Sequence, residues 1–516
     1  VEDAYAAARR VLRIKEDKVQ STALAKSSVD ARHGKQTMVY TVALSLKDAQ
    51  AEEACAAQGG AVSFVRKMPF IVKKGETPLR ERPCVCGFGP AGIFAALVLA
   101  REGFRPIVLE RGGAMAQRVG AVNTFYTGGG LDTATNIQFG EGGAGTFSDG
   151  KLTTRIHDPL CGFVTETFLQ HGAPAEIAYL QKPHIGTDRL RAVIVSIREE
   201  ILALGGEIRF HTALTGLQTE NGRLVAVQTP EGDIPCGVLL LATGHSARDT
   251  FAMLQKQGFA LEAKPFSVGF RAEHLQSDIN AALYHGAAGH PALPQGEYQL
   301  STNVGARGVY TFCMCPGGSV VAAASEENTV VTNGMSLYAR DGKNANAAVA
   351  VSVHPSDFGG DAMRAVAFQR DLEAAAFKAG GGDYAAPAES VQSFLNGEGK
   401  LALSTVQPTY PLGVRAADLG ALLPKELADA LRGGLRFFNS RLSGYTAQSA
   451  VLTGIETRTS SPLRITRDKE SLESTELKGV YPCGEGAGYA GGIVSAAVDG
   501  IRAAKAVAER YAYTHS

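Results

Sequence analysis

The sequence is poor in cysteine, carries no net charge and has no long apolar run. Eight cysteines among 516 residues are too few for a disulfide framework, and several lie inside apolar runs, which favours a reducing, cytoplasmic compartment. The balance of 51 basic and 51 acidic residues gives no overall field to attract nucleic acid or acidic lipid. No apolar run reaches the roughly 18 residues that a membrane span needs, so we expect no membrane association.

Apolar residues and glycine, by contrast, are abundant. The chain is 45% apolar, is long enough for two or three domains, and contains 60 glycines, which imply many close backbone approaches. The stretch 83–112 has the clearest order. A short apolar strand, Pro83–Cys86, leads through a glycine turn to an alanine-rich helix, Ile93–Arg101, and then to a second strand, Pro106–Leu109. That order predicts a nucleotide-binding βαβ unit.

The turn carries the G-x-G-x-x-G pattern at Gly87, Gly89 and Gly92, with Pro90 at the first helical position. Glycine lets the chain reverse, lets a pyrophosphate approach the free N–H groups of the helix N-terminus, and lets helix and sheet pack closely. Glu110, 18 residues after Gly92, is placed to bind a ribose and would repel a 2′-phosphate. A glycine turn without a ligand is the alternative, but the flanking strand, helix and acid favour dinucleotide binding.

We expect the chain to divide into four segments. These are an N-terminal α+β domain (1–80), the first part of the nucleotide-binding domain (81–260), an inserted α+β substrate domain (261–445), and the rest of the nucleotide-binding domain (446–516).

In the N-terminal segment, the pattern predicts strands at Thr37–Leu46 and Ala61–Val65 around a helix at Ala49–Gln58 that Gly59 and Gly60 stop. Basic residues outnumber acidic ones there, among them Arg9, Arg10, Arg13, Arg66, Lys67, Lys73 and Lys74. A solvated face is the favoured interpretation, because few aromatic residues are present to stack bases. A docking module for RNA or for a protein partner is the alternative.

Gly112–Arg155 lacks helical or strand periodicity, and a loop of this length is typical of a functional segment. Farther along, short strands with an Asn221-Gly222 hairpin turn lead into Ala242-Thr243-Gly244. The remaining predicted elements are helices at Asp188–Leu204, Asp361–Ala379 and from Ile493 to about Tyr511, and strands at Glu207–His211, Leu214–Thr219, Leu224–Thr229, Ile234–Ala242, Val309–Met314, Ser319–Ala324 and Ala347–Val353.

Three separated segments thus point to one ligand: the turn at 87–92, the strand ending at 242–244, and a glycine run at 484–492 that opens a helix. This order resembles the two-dinucleotide-binding flavoproteins of the glutathione-reductase-like superfamily. Over nearly its full length the chain more closely resembles a bacterial family of uncharacterised FAD-dependent dehydrogenases. The resemblance is carried by LAKSSVDAR, FGEGGAGTFSDGKL, TFCMCPGG and ETRTSSPLRI. It implies an α/β fold with a Rossmann-like FAD-binding domain.

The same resemblance implies FAD bound in an extended form. The first turn would hold the pyrophosphate, Glu110 the adenosine ribose, and the glycine loop near 142–146 would approach the flavin or pyrophosphate. Glu485 stands where the superfamily commonly has an aspartate on the ribityl chain, and the following helix would direct its N-terminus at the flavin pyrimidine edge. The implied cofactor-binding residues are Gly87, Gly89, Pro90, Ala91, Gly92, Glu110, Arg111, Gly142, Gly143, Thr146, Ala242, Thr243, Gly244, Gly484, Glu485, Gly492 and Ile493.

Several missing motifs narrow the reaction. No C-x-x-x-x-C follows the first helix, so disulfide-reductase chemistry of the glutathione reductase type is not expected. No second G-x-G-x-x-G unit indicates a dedicated NAD(P)H domain. The absence of tryptophan excludes the motif of flavin halogenases, and GEGAGY replaces the aromatic hydroxylase signature, which disfavours monooxygenation without excluding it.

Candidate catalytic groups are few. Asp149 and Lys151 follow the glycine loop, and a lysine there could stabilise an anion or act as an acid, although a surface turn is an equal alternative. The isolated histidines at 157, 184, 245 and 354 are interpreted as structural.

Two C-x-C pairs, Cys84/Cys86 and Cys313/Cys315, lack further metal ligands, and no metal is expected. We interpret both as small strand residues, with some redox interest in Cys313/Cys315.

The sequence therefore predicts an FAD-dependent oxidoreductase, a dehydrogenase moving a hydride or two electrons between a small organic substrate and an acceptor. The alternatives are a flavin monooxygenase and a flavoprotein recruited to RNA or to a protein partner through its N-terminal domain.

Overall fold

A computed structural model describes residues 1–31, 36–57, 60–66 and 69–514. Arg32, Gln58, Gly59 and Lys67, which carry parts of the predictions above, lie outside the described residues. Within that part of the chain, no helix is long and apolar enough to cross a membrane.

The described helices are α1 (Glu2–Leu12), α2 (Ala49–Ala56), α3 (Pro90–Arg101), α4 (Met115–Tyr126), α5 (Leu160–Gln170), α6 (Thr187–Ala203), α7 (Arg248–Lys256), α8 (Gln276–Tyr284), α9 (Ala362–Ala379), α10 (Val391–Asn396), α11 (Lys425–Arg441) and α12 (Ile493–Arg510). The described strands are β1 (Val19–Asp30), β2 (Thr37–Leu46), β3 (Thr77–Leu79), β4 (Cys84–Cys86), β5 (Ile107–Leu109), β6 (Glu207–Arg209), β7 (Gly216–Glu220), β8 (Arg223–Thr229), β9 (Gly232–Pro235), β10 (Leu239–Leu241), β11 (Leu261–Ala263), β12 (Phe266–Leu275), β13 (Ser301–Val304), β14 (Arg307–Cys315), β15 (Ser319–Ala322), β16 (Thr332–Met335), β17 (Asn344–Val353), β18 (Ala386–Ser390), β19 (Val414–Ala416), β20 (Val451–Glu456), β21 (Leu463–Ile465), β22 (Val480–Pro482) and β23 (Tyr511–Tyr513). The fold is mixed α/β.

A parallel sheet in the order β22-β10-β4-β5-β6 lies at the centre of the first core. Its four strands other than β6 are buried along their length, which explains their continuous apolar sequence. Helices α3 and α12 pack against each other beside it. Their contact is close enough that a Cβ on Gly500 would lie 2.1 Å from the Ala91 carbonyl oxygen. The last long helix therefore packs directly on the helix that follows the first glycine turn.

A three-stranded antiparallel meander, β7-β8-β9, lies between β6 and β10 in the chain. Asn221 and Gly222 join β7 to β8 with φ values of 50° and 72°. Both residues have positive φ, as a two-residue hairpin turn of this kind requires, so the predicted hairpin is confirmed.

A second sheet has the order β13-β14-β17-β12-β20-β18-β19 and is antiparallel except for the β18–β19 pair. Helix α11 packs on β13, β14 and β17. Strand β20 pairs with β12 and β18 in this sheet, although it follows residue 445 in the chain. The predicted domain boundaries stay predictions.

Three local predictions are wrong. The predicted strand Ile234–Ala242 is two strands in different sheets, β9 and β10, because the chain bends at Gly237 between them. Gly112–Arg155 contains α4, which the sequence concealed because the second part of the helix, VGAVNTFY, consists mostly of weak helix formers. The helix is fixed instead by tertiary bonds from buried Arg118 to the carbonyl oxygens of Asn136, Ile137 and Glu141. Ala61–Val65 forms no strand in the described structure, and Val65 is 82% exposed. An apolar run without a neighbouring strand or a core to cover it does not form a stable strand.

Candidate functional site

A cavity of about 1770 Å³ opens at the carboxyl ends of β4, β5, β10 and β22. This edge of a parallel sheet is where open α/β folds bind ligands. The volume exceeds the roughly 300–1,000 Å³ of an ordinary small-molecule pocket. The opposite wall comes from the second sheet, through Tyr310–Met314 on β14 and Glu456 at the end of β20. The cavity can therefore hold a dinucleotide together with a further small molecule.

The structure brings most of the sequence-predicted residues to this cavity. Those that line it are Gly87, Gly89, Pro90, Ala91, Glu110, Arg111, Gly143, Lys151, Ala242, Thr243, Gly244, Glu485, Gly492 and Ile493. Gly92, Gly142, Thr146 and Gly484 do not line it and lie behind its wall.

The N-termini of two helices border the cavity. Helix α3 begins after Gly89, and α12 begins after Gly492, whose φ is 135°. Because both N-cap residues are glycines, neither helix has a capping side chain between its first N–H groups and the cavity. These N–H groups and the positive ends of the helix dipoles favour anionic groups.

Gly87 and Gly92 of the glycine turn cannot be replaced without strain or collision. Gly87 has a φ of 99°, and a Cβ on Gly92 would lie 1.9 Å from the carbonyl oxygen of Gly87. On the other side of the turn, a Cβ on Gly143 would lie 2.8 Å from the Cα of Gly89. The backbone of 142–143 thus packs against the first turn, and Gly142 N donates to Phe88 O at 2.8 Å. The result is a bare backbone cradle that suits a pyrophosphate.

The Glu110 carboxylate accepts hydrogen bonds from three backbone N–H groups. Its Oε2 accepts from Phe88 N at 2.8 Å, and its Oε1 accepts from Gly112 N and Gly140 N, each at 2.9 Å. The side chain is only 5% exposed, yet it lines the cavity. Since a carboxylate offers about four acceptor positions, one remains for a ribose hydroxyl. Glu110 therefore ties three loops together in addition to any ligand that it binds.

Arg111 is held beside the cavity by two contacts. Its guanidinium lies 4.3 Å from the centroid of Phe139 and pairs with Asp249 at 2.9 Å. Thr146 lies behind the wall, where its carbonyl oxygen accepts from Thr187 Oγ1 at 2.6 Å. Thr146 thus supports the glycine loop from the side away from the cavity.

At the C-terminal segment, Gly484 N donates to Asp499 Oδ2 at 2.8 Å, and Asp499 pairs with Arg467 at 2.7 Å. Asp499 is buried in alanine-rich α12, and its position among the apolar residues of the first half of that helix was the available signal for it. Glu485 projects to the cavity, where burial raises its pKa to about 7 against the opposing charge of Lys264. It is a group that can hold a proton near neutral pH.

Lys151 is part of a charged cluster. Its Nζ donates to Met314 O and pairs with Glu297 at 3.3 Å. Burial would lower the pKa of Lys151, but the charges of Glu297 and Asp149 outweigh burial and raise it. Asp149 is itself buried and paired with Arg340, with Nε–Oδ1 at 3.0 Å. Lys151 thus presents a stable positive charge, and Asp149 positions Arg340.

Sequence reasoning missed several cavity residues. Lys26 on β1 lines the cavity, and a hydrogen bond from Ser27 N to Tyr179 O at 2.6 Å holds β1 in place. His245 lines it too, and its pKa is lowered to about 3 by burial and by Arg458 and Arg248, so the ring is neutral. Glu456 and Arg458 line it at the end of β20. Lys26, Glu456 and Arg458 lie in the motifs LAKSSVDAR and ETRTSSPLRI, which were the available signals.

Comparison with known proteins identifies the family. A family model described as "FAD-dependent protein, C-terminal domain-like" matches residues 265–459. An uncharacterised protein of Clostridium beijerinckii is 48% identical over 443 residues, which are 85% of this chain and 83% of the relative. The chain belongs to the family of this clostridial protein. The chain is an FAD-dependent oxidoreductase, and FAD is its cofactor.

Solved structures show only distant likeness to this family member. CtdE in complex with FAD is 10% identical, with 83% of each chain covered and a TM-score of 0.32. Glycine oxidase from Bacillus cereus is 10% identical, with 82% of this chain and 94% of the other covered and a TM-score of 0.35. These likenesses are too weak to assign a substrate or a site.

Proposed function

We propose that the cavity binds FAD in an extended form and that the enzyme is a dehydrogenase acting on a small organic substrate. The observation that carries this proposal is the convergence of three separated glycine segments, 87–92, 242–244 and 484–492, on one cavity. When bound, FAD would supply reversible transfer of a hydride or of two electrons. The proposal names no particular electron acceptor for the second half of the cycle.

The residues present suit each part of the cofactor. The bare backbone at Gly87, Gly89 and Gly143 and the N-terminus of α3 would bind the pyrophosphate. Glu110 would accept from the adenosine ribose, with Arg111 near the ADP moiety. The N-terminus of α12 at Gly492 would lie by the flavin and stabilise negative charge there.

Lys151 would stand on the substrate side. Its positive charge, maintained by Glu297, would attract an anionic group of the substrate or stabilise developing negative charge. Because Lys151 is protonated at neutral pH, it would act as an electrostatic group or an acid and not as a base. Glu485, with its pKa of about 7, is the group in the cavity suited to exchange a proton at neutral pH.

The domain arrangement proposed with this function is glutathione-reductase-like. A Rossmann-like FAD-binding domain would comprise 81–260 and the C-terminal residues, an inserted substrate domain would begin at 261, and 1–80 would form an N-terminal domain. The pairing of β20 with β12 and β18 favours ending the insertion after Glu456 rather than at 445.

The test begins with the visible spectrum of the purified protein, recorded anaerobically before and after NADH and NADPH. Flavin bands that persist with both nucleotides and bleach in a screen of small organic substrates would support the dehydrogenase. Bleaching by a nucleotide, followed by substrate-dependent oxygen consumption, would instead favour a monooxygenase.

A Gly89→Leu variant, with Gly120→Ala as its control, tests whether this cavity holds FAD. Leucine should abolish FAD retention, while Gly120, whose Cβ would meet open space, should tolerate alanine.

A further inference from the structure

Cys313 and Cys315 lie where β14 departs from regular pairing. Its ladder with β17 runs from Val309 to Phe312, is interrupted, and resumes at Cys315. Cys313 has a φ of 45°, which a non-glycine residue seldom adopts and which is typical of functional sites. In a regular strand, residues two apart share a face but stay separated. Here the irregularity at Cys313 takes the two cysteines out of that regular spacing.

The two thiols differ in access. Cys313 is partly exposed and lines the cavity proposed for FAD, whereas Cys315 is fully buried behind it. Cys315 Sγ also donates to Cys313 O at 3.3 Å. One sulfur thus faces the cavity, and the other is held within reach of the first. This is the arrangement of a reactive thiol with a resolving partner.

Two cations, Arg271 paired with Glu456 and Lys151 paired with Glu297, bind backbone carbonyl groups beside the Cys313 thiol. Fully buried Arg271 donates to Cys313 O at 2.8 Å, and Lys151 donates to Met314 O between the two cysteines. The hydrogen bond from Cys315, followed by these two cations, lowers the pKa of Cys313 despite burial and the charge of Asp149. The same pairing raises the pKa of Cys315. Cys313 is therefore the nucleophilic thiolate of the pair.

The other C-x-C pair provides an internal contrast. Cys84 and Cys86 lie on β4, which pairs in unbroken register with β10 and β5. The neighbouring Cys236 and burial raise the pKa of Cys84, and burial raises the pKa of Cys86 to about 12. Regular geometry and protonated thiols make this pair inert.

We propose that Cys313 and Cys315 form a reversible dithiol–disulfide pair that exchanges two electrons with the flavin. On oxidation, the S–H bond of Cys315 breaks and its sulfur forms one S–S bond with the Cys313 thiolate, while two electrons and the Cys315 proton pass to FAD, which becomes FADH⁻. The reverse step cleaves the disulfide and restores FAD. The pair would store the electron pair beside the cofactor. The flavin step rests on FAD lying in the cavity as proposed, but formation of the disulfide does not.

Thiol trapping tests the pair itself. The holoenzyme is equilibrated in buffers of graded oxidised and reduced dithiothreitol, quenched with N-ethylmaleimide in denaturant, and digested for mass spectrometry. A 313–315 disulfide should accumulate with increasing oxidant, with none at 84–86. Absence of the 313–315 disulfide in every buffer, or equal formation at 84–86, would overturn the proposal. Repeating the trapping on cofactor-free protein keeps this result independent of FAD binding.

Anaerobic reductive titration tests the exchange with the flavin. Oxidised wild-type protein should consume twice as much dithionite per flavin as Cys313→Ser or Cys315→Ser, because the disulfide accepts a second electron pair. Cys161→Ser on α5, which leaves the pair and the cavity lining intact, should match the wild type. Equal consumption by wild type and by both pair variants would overturn the exchange. Loss of FAD from all proteins would contradict the proposed function instead.

Discussion

The buried charge cluster of Glu373, Arg248 and Arg458 allows a quantitative prediction for Glu373→Gln. The Arg248, Glu373 and Arg458 side chains are 2%, 0% and 3% exposed. Glu373 accepts from Arg248 at 2.7 and 2.9 Å, from Arg458 at 2.9 and 3.1 Å, and from Thr457 Oγ1 at 2.6 Å. Glutamine keeps the shape but leaves two buried guanidinium charges without this counter-charge. Breaking a buried ion pair costs about 3–5 kcal/mol. Because Arg248 keeps its contact with Glu326, we expect Glu373→Gln to lower the free energy of unfolding by ~3 kcal/mol.

Urea unfolding followed by circular dichroism measures this loss, with Glu326→Gln as the matched control. Glu326 pairs with the same Arg248, at 2.6 Å, but its side chain is 29% exposed, so its loss should cost about 1 kcal/mol or less. Equal free energies of unfolding for the two variants would refute the assignment of the stabilisation to burial of Glu373.

The pH dependence gives a second readout. The pKa of Glu373 is held below its ordinary value of 4.5, because Arg458 and Arg248 outweigh the effect of burial. The folded protein therefore binds this proton less readily than the unfolded chain does. The stabilisation is complete above about pH 4.5 and is lost as the pH falls toward the folded-state pKa. Glu373→Gln should show a shallower loss of stability in acid than the wild type, and an unchanged slope would contradict this explanation.

Three further predictions concern the cavity. Gly92→Val should distort the turn and reduce the flavin absorbance per protein at least about tenfold, whereas Gly120→Ala should leave it unchanged. Flavin retained by Gly92→Val would contradict the role of the turn. Asp499→Asn should lower stability by about 2 kcal/mol in urea unfolding, because it breaks a mostly buried pair with Arg467; a loss below ~0.5 kcal/mol would argue against it. The pKa of Glu485 is raised from 4.5 to about 7, so wild-type stability should fall by about 3 kcal/mol as the pH rises through this range. Glu485→Gln should remove this fall, and parallel wild-type and variant curves would refute the explanation.

The sequence was most informative where local chemistry determines structure. The turn at Gly87–Gly92 and the hairpin at Asn221-Gly222 need glycine or positive φ at fixed positions, so their residue types predict their shape. Helix α9, predicted at Asp361–Ala379, begins at Ala362 with the Asp361 side chain accepting from Met363 N and Arg364 N, as its capping residue type suggests.

The rest depended on contacts between distant residues. Helix α4 is fixed by the bonds of Arg118 to residues 136–141, and no periodicity in its own sequence reveals them. The acceptor positions of Glu110 are mostly filled by three backbone N–H groups from separate loops. The two C-x-C pairs have identical spacing, and contacts that the spacing does not reveal, such as the interrupted ladder of β14, distinguish Cys313/Cys315 from Cys84/Cys86.

The order of strands in the parallel sheet has a consequence for biosynthesis. Strand β22 and helix α12 complete the cavity beside β10 and α3, but the ribosome makes them only after the whole second sheet. A nascent chain that has already formed the first glycine turn therefore lacks one wall of the cavity until residues 480–510 emerge. With FAD bound in this cavity as proposed, its capture would be a late event in synthesis, and until then the exposed faces of β10 and α3 would need protection from aggregation.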